Sequence, residues 1–273
     1  MRHRIKRWWK RLLSDIRVRK RVEAIAGELQ RHFGIPYKPL MIRSGGDGID
    51  NIYFASYADE ILGVLRLSEP GKKSKTLPPD RPYAVMDAEK RIDYEWAMYT
   101  KGAAHGLTPR PLWRTHDALL CEHLPCKKLQ TVLEKEPDEA WNILCRAARA
   151  VQQLHEAGIT HMDVCLQNML ADARGRIYFI DFEYMPALHV PPSAQRVYDH
   201  LRLVEAAWKF IPEDKESGFG AWLDYFSSCM DDEMRQVDLS LLERDLTRLL
   251  AAPVLGARIR SLFKPASSSL PRS

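Results

Sequence analysis

The sequence lacks the features that mark membrane-spanning, secreted or zinc-binding proteins. No run reaches the roughly 18 apolar residues of a transmembrane helix. The basic start continues into Lys10, Arg11 and Asp15 instead of an apolar segment, so we expect no secretory signal. No C-x-x-C pair or zinc-ligand spacing is present, and the five cysteines are an odd number. We therefore expect reduced thiols in a cytoplasmic protein.

Internal repeats and a disorder-type composition are also missing. The 273 residues are 45% hydrophobic and 28% charged, which is typical of a globular protein. A chain of this length removes roughly 75% of its unfolded surface from water on folding, so its core needs no disulfide or metal.

An excess of one charge is confined to the N-terminus. Residues 1–21 contain ten Lys and Arg and a single acid, Asp15, for a net charge of +9. The other 252 residues contain 31 bases and 35 acids, which leaves them at −4 within an overall charge of +5. A protein that binds nucleic acid is usually basic across a whole domain, so this distribution does not favour a nucleic acid partner.

The basic end is predicted to form an amphipathic helix over residues 4–30, which we place in a segment 1–35. Its apolar stripe consists of Ile5, Trp8, Trp9, Leu12, Leu13 and Ile16. Each base near an anionic lipid surface contributes about 1 kcal/mol, so residues 1–21 are candidates for membrane contact. The candidate membrane-surface residues are Trp8, Trp9, Lys6, Arg7, Lys10 and Arg11. The alternatives are a helix packed on the neighbouring lobe, and contact with nucleic acid.

The remaining chain is predicted to place strands early and helices late. Apolar patterns favour strands within 39–67, near 119–124, at 159–163 and at 177–182, and helices at 86–101, at 137–157 and beyond 195. This order favours an α+β fold with a small β-rich lobe, residues 36–124, and a larger helical lobe, residues 125–263. The Pro- and Ser-rich tail 264–273 is expected to be loose.

The most informative stretch is a helix, a glycine stop and a polar loop, after which an apolar strand ends in an acid. Leu154-His155 precedes Gly158, and the loop reads His161-x-Asp163-x4-Asn168. Thirteen residues after Asn168, the strand delivers Ile180-Asp181-Phe182-Glu183. A carboxylate can accept the proton of an attacking hydroxyl, and amide and carboxylate oxygens are the ligands that Mg²⁺ prefers.

This combination resembles the catalytic core of the protein-kinase-like superfamily, in its aminoglycoside phosphotransferase, choline kinase and lipopolysaccharide-core (Kdo/heptose) kinase branches. The resemblance implies a bilobal kinase-like fold and an ATP-dependent, Mg²⁺-dependent phosphotransferase. It implies that Asp163 is the catalytic carboxylate, that Asn168 and Asp181 hold the metal, and that His161 supports the loop. A relative that binds nucleotide without transferring phosphate is an alternative.

The same resemblance implies nucleotide-binding residues in the small lobe. Arg66, in Val64-Leu65-Arg66-Leu67, is the candidate for the basic strand residue, unless it is simply an exposed strand residue. Glu95 is its expected partner, with Glu89 as the alternative. The glycines of Ser44–Asn51 either cover the phosphates or form a plain hairpin turn. The loop and hinge candidates are Gly45, Gly46, Gly48, Glu122 and Leu124.

The residues beyond Asp181 indicate the kind of acceptor. Asp199 resembles the helix aspartate that braces the catalytic loop, although an acid at a helix start is equally compatible. The short distance from Asp181 to Asp199, with no Ala-Pro-Glu motif between them, favours a sugar or small alcohol over a protein. Trp208, Trp222, Tyr225 and Phe226 are either sugar-binding or core residues.

With the basic helix, these features favour a hydroxyl of a lipopolysaccharide core sugar, phosphorylated by a cytoplasmic enzyme that is peripheral on the inner membrane. The alternative is a soluble kinase of the aminoglycoside or choline type.

Overall fold

The computed structural model describes residues 2–44, 50–68, 77–78, 80–211 and 218–264, with the side chains of residues 2–17, 88 and 89 left out. The chain divides into two compact units. Unit 1 comprises Met1–Ser74, Ala88–Trp96 and Arg110–His123, and unit 2 comprises Lys75–Asp87, Ala97–Pro109 and Leu124–Ser273. This division differs from the expected lobes, because unit 1 includes the N-terminal helix and unit 2 includes two segments that precede residue 124.

Unit 1 is an antiparallel sheet with a long helix. Its elements are α1 (Arg2–Phe33), β1 (Leu40–Arg43), β2 (Asp50–Tyr57), β3 (Glu60–Ser68), β5 (Pro111–Arg114), β6 (Ala118–Cys121) and the first part of α2 (Ala88–Ala104). The sheet order is β1-β2-β3-β6-β5. Alternation places Tyr53 and Leu65 opposite each other on one buried face of β2 and β3.

The second half of α1 packs on this buried face. Val18, Ile25 and Leu29 join one apolar cluster with the sheet residues Tyr53 and Leu65. Burial of an aliphatic side chain of this size contributes about 1.5–3 kcal/mol. The alternative in which the helix packs on the small lobe therefore holds for its second half. The side chains of Trp8, Trp9, Lys6, Arg7, Lys10 and Arg11 lie outside the described residues.

Unit 2 is mainly helical, with two small sheets. Its elements are β4 (Tyr83–Val85), β7 (Lys127–Lys128), α3 (Leu129–Lys135), α4 (Ala140–Glu156), β8 (Met169–Ala171), β9 (Ile177–Phe179), β10 (Tyr184–Pro186), α5 (Pro192–Ala207), α6 (Phe219–Cys229), α7 (Asp232–Arg235), α8 (Thr247–Ala251) and α9 (Pro253–Ser261), together with the remainder of α2. β7, β8 and β9 form one antiparallel sheet, and β4 pairs with β10 in another.

The core of unit 2 lies between α4, α5 and α6. α4 buries an apolar stripe that includes Leu144, Val151 and Leu154, and ends where Gly158 adopts a φ of 64°. Trp222 and Phe226 of α6 are fully buried and their rings are stacked, so they are core residues rather than a sugar-binding surface. Within the described residues, none of the helices is both long and apolar enough to cross a membrane.

Two expectations for this unit are wrong. Residues 159–163 do not form a strand, because the backbone N–H groups of His161 and Met162 bind a carboxylate instead of a neighbouring strand. The region after residue 195 is not continuously helical either. Residues 230–246 contain only short turns of helix, such as α7, among irregular segments. The tail from residue 265 lies outside the described residues.

Candidate active site

The loop before β8 is held by one buried carboxylate. Asp199, on α5, is completely buried. Its Oδ2 accepts the backbone N–H of His161 and its Oδ1 accepts that of Met162, both at 2.8 Å. Nε2 of His155, at the end of α4, lies 3.1 Å from the same Oδ2. The expected helix aspartate is thus placed against the loop that carries Asp163.

The backbone takes unusual conformations within the loop and after β9. Met162 and Asp181 have φ angles of 62° and 72°, in the left-handed region that residues other than glycine rarely adopt. His161 is fully buried, and its Nε2–H donates to the carbonyl of Ile180 at 3.0 Å. Its ring lies on Phe182, with centroids 4.6 Å apart. His161 therefore connects the loop directly to the segment that presents Asp181.

Asp163 and Asn168 lie together in the loop. Asn168 Nδ2 donates to the backbone carbonyl and to Oδ2 of Asp163, both at 3.1 Å. Nη2 of Arg202, on α5, lies 3.3 Å from the other carboxylate oxygen, Oδ1. The Asp163 side chain is 24% exposed, so a ligand in solution can reach this carboxylate. Sequence reasoning did not single out Arg202, although it stands one helical turn after Asp199.

A β-hairpin brings Asn168 and Asp181 to the same place. Asn168 immediately precedes β8, Asp181 comes shortly after β9, and Met169 pairs with Phe179. The N–H of Ile180 donates to the carbonyl of Asn168 at 2.9 Å, and the N–H of Asp181 donates to Tyr99 Oη at 2.9 Å. Because antiparallel pairing places the start of β8 beside the end of β9, Asn168 and Asp181 lie at the same end of the hairpin.

The Asn168 and Asp181 side chains suit a magnesium ion. Asn168 uses its amide nitrogen on Asp163, and among the described residues nothing donates to its Oδ1, which is left for a cation. The described residues contain no group of three or more His, Cys, Asp or Glu that could hold a metal. Two protein oxygens completed by phosphate oxygens and water are nevertheless the usual environment of Mg²⁺.

Unit 1 contains a buried network of two arginines and two acids. Arg66 on β3 donates to Glu95 on α2 at 2.7 Å, the pairing expected from the sequence. Asp50 and Arg91 belong to the same network, with Arg91 donating to Asp50 at 2.6 Å and Arg66 3.7 Å from the same carboxylate. Glu95 is fully buried. Sequence reasoning did not identify Asp50 and Arg91, since their partners are set only by the folded sheet.

The remaining small-lobe candidates lie at the end of β6 and in the glycine-rich turn. Glu122 accepts the backbone N–H and Nε–H of Arg110 at 3.0 and 2.8 Å, and the carbonyl of Leu124 accepts the N–H of Cys126. Gly45, Gly46 and Gly48 lie outside the described residues. The sheet face that carries Arg66 also carries three half-buried apolar residues, Ile52, Phe54 and Val64.

Comparison with known proteins agrees with this geometry. Residues 113–207 match the family described as "Lipopolysaccharide kinase (Kdo/WaaP) family". The matched stretch includes Asp163, Asn168, Asp181 and Asp199. The fold is similar to that of a choline/ethanolamine kinase family protein from Mesorhizobium loti, with a TM-score of 0.50, 12% identity, and coverage of 88% of this chain and 98% of that one. The fold is that of the protein-kinase-like superfamily, and the match to a kinase family supports a kinase. The predicted α+β kinase-like fold is thereby confirmed.

The kinase is also similar to the Rio2 kinase of Chaetomium thermophilum, solved as an ADP/Mg²⁺-phosphoaspartate complex. The TM-score is 0.48, the identity 16%, and the coverage 88% of this chain and 75% of that one. No curated protein matches the kinase at a significant level. The family match covers both the loop of Asp163 and the helix α5 that supports it.

Proposed function

We propose that this kinase transfers the γ-phosphate of Mg²⁺-bound ATP to a hydroxyl of a lipopolysaccharide core sugar. One observation carries the proposal: Asp163 and Asn168 are hydrogen-bonded to each other, and a hairpin joins Asn168 to Asp181, within the stretch that matches the lipopolysaccharide kinase family. The family description supports the acceptor class, and the site supports the reaction.

Asp163 accepts the proton of the attacking sugar hydroxyl in this proposal. Its carboxylate is accessible, and the bond from Asn168 restricts its orientation. Such positioned proton transfer typically contributes 10²–10⁴-fold to a rate. Asn168 and Asp181 would hold Mg²⁺, which when bound neutralises the charge of the phosphates. His161 and Asp199 keep the loop in the conformation that presents Asp163.

Arg66 is proposed to bind the nucleotide phosphates, oriented by Glu95. A guanidinium suits phosphate oxygens because its N–H groups form a planar fork. Ile52, Phe54 and Val64 on the same sheet face would contact the adenine base, while α1 covers the opposite face. Glu122 and Leu124 stay candidates for the base-binding segment. Gly45, Gly46 and Gly48 stay candidates for the phosphate loop.

The first half of α1 is proposed to contact an anionic membrane surface from the cytoplasmic side. The part of α1 from Val18 onwards packs on the sheet of unit 1. Residues 2–17, the positively charged half, continue the same helix from this packed part. Lys6, Arg7, Lys10 and Arg11 supply the charge, and Trp8 and Trp9 the interfacial side chains. A lipid-linked acceptor would then be presented where the kinase is bound.

The acceptor is tested by transfer of labelled γ-phosphate from Mg-ATP in a Gram-negative envelope extract, with glycolipid and aqueous fractions counted separately. Purified lipopolysaccharide stripped of its phosphate is then used as the sole acceptor. The proposal expects label in the glycolipid. Label in the aqueous fraction alone would overturn the acceptor and favour a soluble small-molecule kinase. A variant without residues 1–17 tests the membrane proposal through sedimentation with vesicles containing anionic lipid.

A further inference from the structure

The catalytic loop supplies no cation of its own to Asp163. Residues 160–170 contain neither Lys nor Arg. A carboxylate that receives a hydroxyl proton next to a polyphosphate experiences repulsion from the phosphate oxygens, so a nearby positive charge favours the approach of the two anions. The cation that the structure places there is Arg202 of α5, with Nη2 3.3 Å from Asp163 Oδ1.

Two residues on one face of α5 contact the loop. Asp199 and Arg202 are three residues apart on α5, a spacing that puts their side chains side by side. Asp199 binds the loop backbone at His161 and Met162, whereas Arg202 reaches the side chain of Asp163. The loop and its reactive carboxylate are therefore both positioned from α5.

The two oxygens of Asp163 have different partners. Oδ2 accepts from Asn168, the candidate metal ligand, and Oδ1 faces Arg202. The carboxylate is thus held on both sides, by Asn168 at one oxygen and by the Arg202 guanidinium at the other. In the described part of the chain, Asp163 is the hydrogen-bond partner of Arg202, so four of its five N–H donors are not used by protein.

We propose that Arg202 is the positioning residue of the transfer reaction, holding Asp163 in its reactive orientation and offsetting its charge as the phosphoryl group approaches. This inference rests on the proposed kinase function. The pair has the properties of a functional rather than a stabilising contact. Both side chains are 24% exposed, and the bond is longer than the roughly 2.7–2.9 Å of a strong charge-assisted bond. At 3.3 Å the contact is a weak hydrogen bond, so its loss should change stability little.

The test compares Arg202→Gln and Arg202→Lys with a matched control on the same helix, Arg196→Gln. Arg196 pairs with Asp231 at 2.8 Å, away from the loop. Transfer from Mg-ATP to phosphate-stripped lipopolysaccharide gives kcat and KM, and thermal unfolding gives stability. We expect Arg202→Gln to lower kcat about 10–100-fold, the effect of a misplaced catalytic group. KM for ATP and the unfolding temperature should stay those of the wild type.

Restoring a positive charge at position 202 distinguishes a positioning role of Arg202 from a purely structural one. Arg202→Lys should recover part of the lost kcat, and added guanidinium should raise the rate of Arg202→Ala but not that of Asp163→Asn. Arg196→Gln should behave as wild type. A wild-type kcat in Arg202→Gln overturns the inference, as does a lowered kcat with an equal loss of stability that lysine does not restore.

Failure of the acceptor proposal gives a different result. If the wild type hydrolyses Mg-ATP but leaves lipopolysaccharide unlabelled, the acceptor is wrong, and the same variants are compared by hydrolysis. A fall in hydrolysis in Arg202→Gln alone then supports the positioning role, and unchanged hydrolysis overturns it. If the wild type neither transfers nor hydrolyses phosphate, both proposals are overturned.

Discussion

The carboxylate of Asp199 accepts the backbone N–H of His161 at 2.8 Å, across 38 residues of sequence. The same buried carboxylate also accepts from Met162 and lies against His155. A buried anion is tolerated only when hydrogen bonds replace its lost hydration. These contacts fix Met162 in its left-handed conformation and thereby determine where Asp163 points.

Replacement of Asp199 by Asn should therefore impair both stability and activity. An amide has a single acceptor oxygen, and its NH₂ group would face a backbone N–H donor. We expect Asp199→Asn to lower the free energy of unfolding by about 3 kcal/mol, as loss of hydrogen bonds to a buried charged group does. Denaturant unfolding measures this loss. Asp224→Asn, a change at an exposed carboxylate of α6, should leave stability unchanged; an unaltered Asp199→Asn protein would contradict the bracing role.

Loss of Arg66 should weaken nucleotide binding more than its replacement by lysine. Arg66→Gln removes one cationic partner of the fully buried Glu95, while Arg91 stays 3.7 Å from the same carboxylate. We expect a destabilisation of about 1.5–3 kcal/mol, as for a hydrogen bond to a charged group, and weaker binding of a non-hydrolysable ATP analogue. Arg66→Lys keeps the charge and should bind the analogue with an affinity between those of wild type and Arg66→Gln. Calorimetry measures all three proteins. Equal affinity in all three would remove Arg66 from the nucleotide site.

The anchoring of α1 should depend on pH in the acid range. Burial alone would raise the pKa of Asp117, but hydrogen bonds from Arg21 and Thr115 outweigh it and hold the pKa below its ordinary value. Because the pKa is lowered on folding, the stabilisation is complete above the unfolded value of about 3.9 and is lost as the pH falls through the folded value. Urea unfolding should show wild type more stable than Asp117→Asn near neutral pH, with the difference shrinking in acid. A difference that grows in acid would contradict this sign.

Two thiols near the candidate sites should be unreactive in the folded kinase. Burial raises the pKa of Cys121 to about 12 and that of Cys165 to about 11. The thiolate is the reactive form, so iodoacetamide at about pH 8 should alkylate them far more slowly than in denaturant. Peptide mass spectrometry assigns the labelled positions. Rapid labelling of Cys165 in the native protein would show that the loop opens.

The sequence predicted the parts of this kinase that local patterns encode. The loop from His161 to Asn168 and the strand before Asp181 have fixed spacings, and the pairing of Arg66 with Glu95 was inferred from the resemblance. Arg202, Asp50 and Arg91 were not predicted, because their partners lie 39 to 41 residues away and meet them only after folding.

The pattern of apolar residues also led to one wrong prediction of a strand. Residues 159–163 have the pattern of a short strand because Ile159 and Met162 are apolar. The backbone there binds Asp199 instead, a partner that periodicity cannot reveal. The same limit applies to α1, whose amphipathic stripe is compatible with either lipid or protein. The fold shows that residues from Val18 onwards cover the sheet.

Asp163 is expected to be essential for phosphate transfer and dispensable for nucleotide binding. The most direct measurement compares wild type, Asp163→Asn and Asp224→Asn for γ-phosphate transfer from Mg-ATP to phosphate-stripped lipopolysaccharide, with binding of an ATP analogue measured on the same samples. We expect Asp163→Asn to bind the analogue as wild type does and to transfer phosphate at least about 100-fold more slowly, while Asp224→Asn retains full activity. Transfer by Asp163→Asn at the wild-type rate would contradict the proposed role of Asp163.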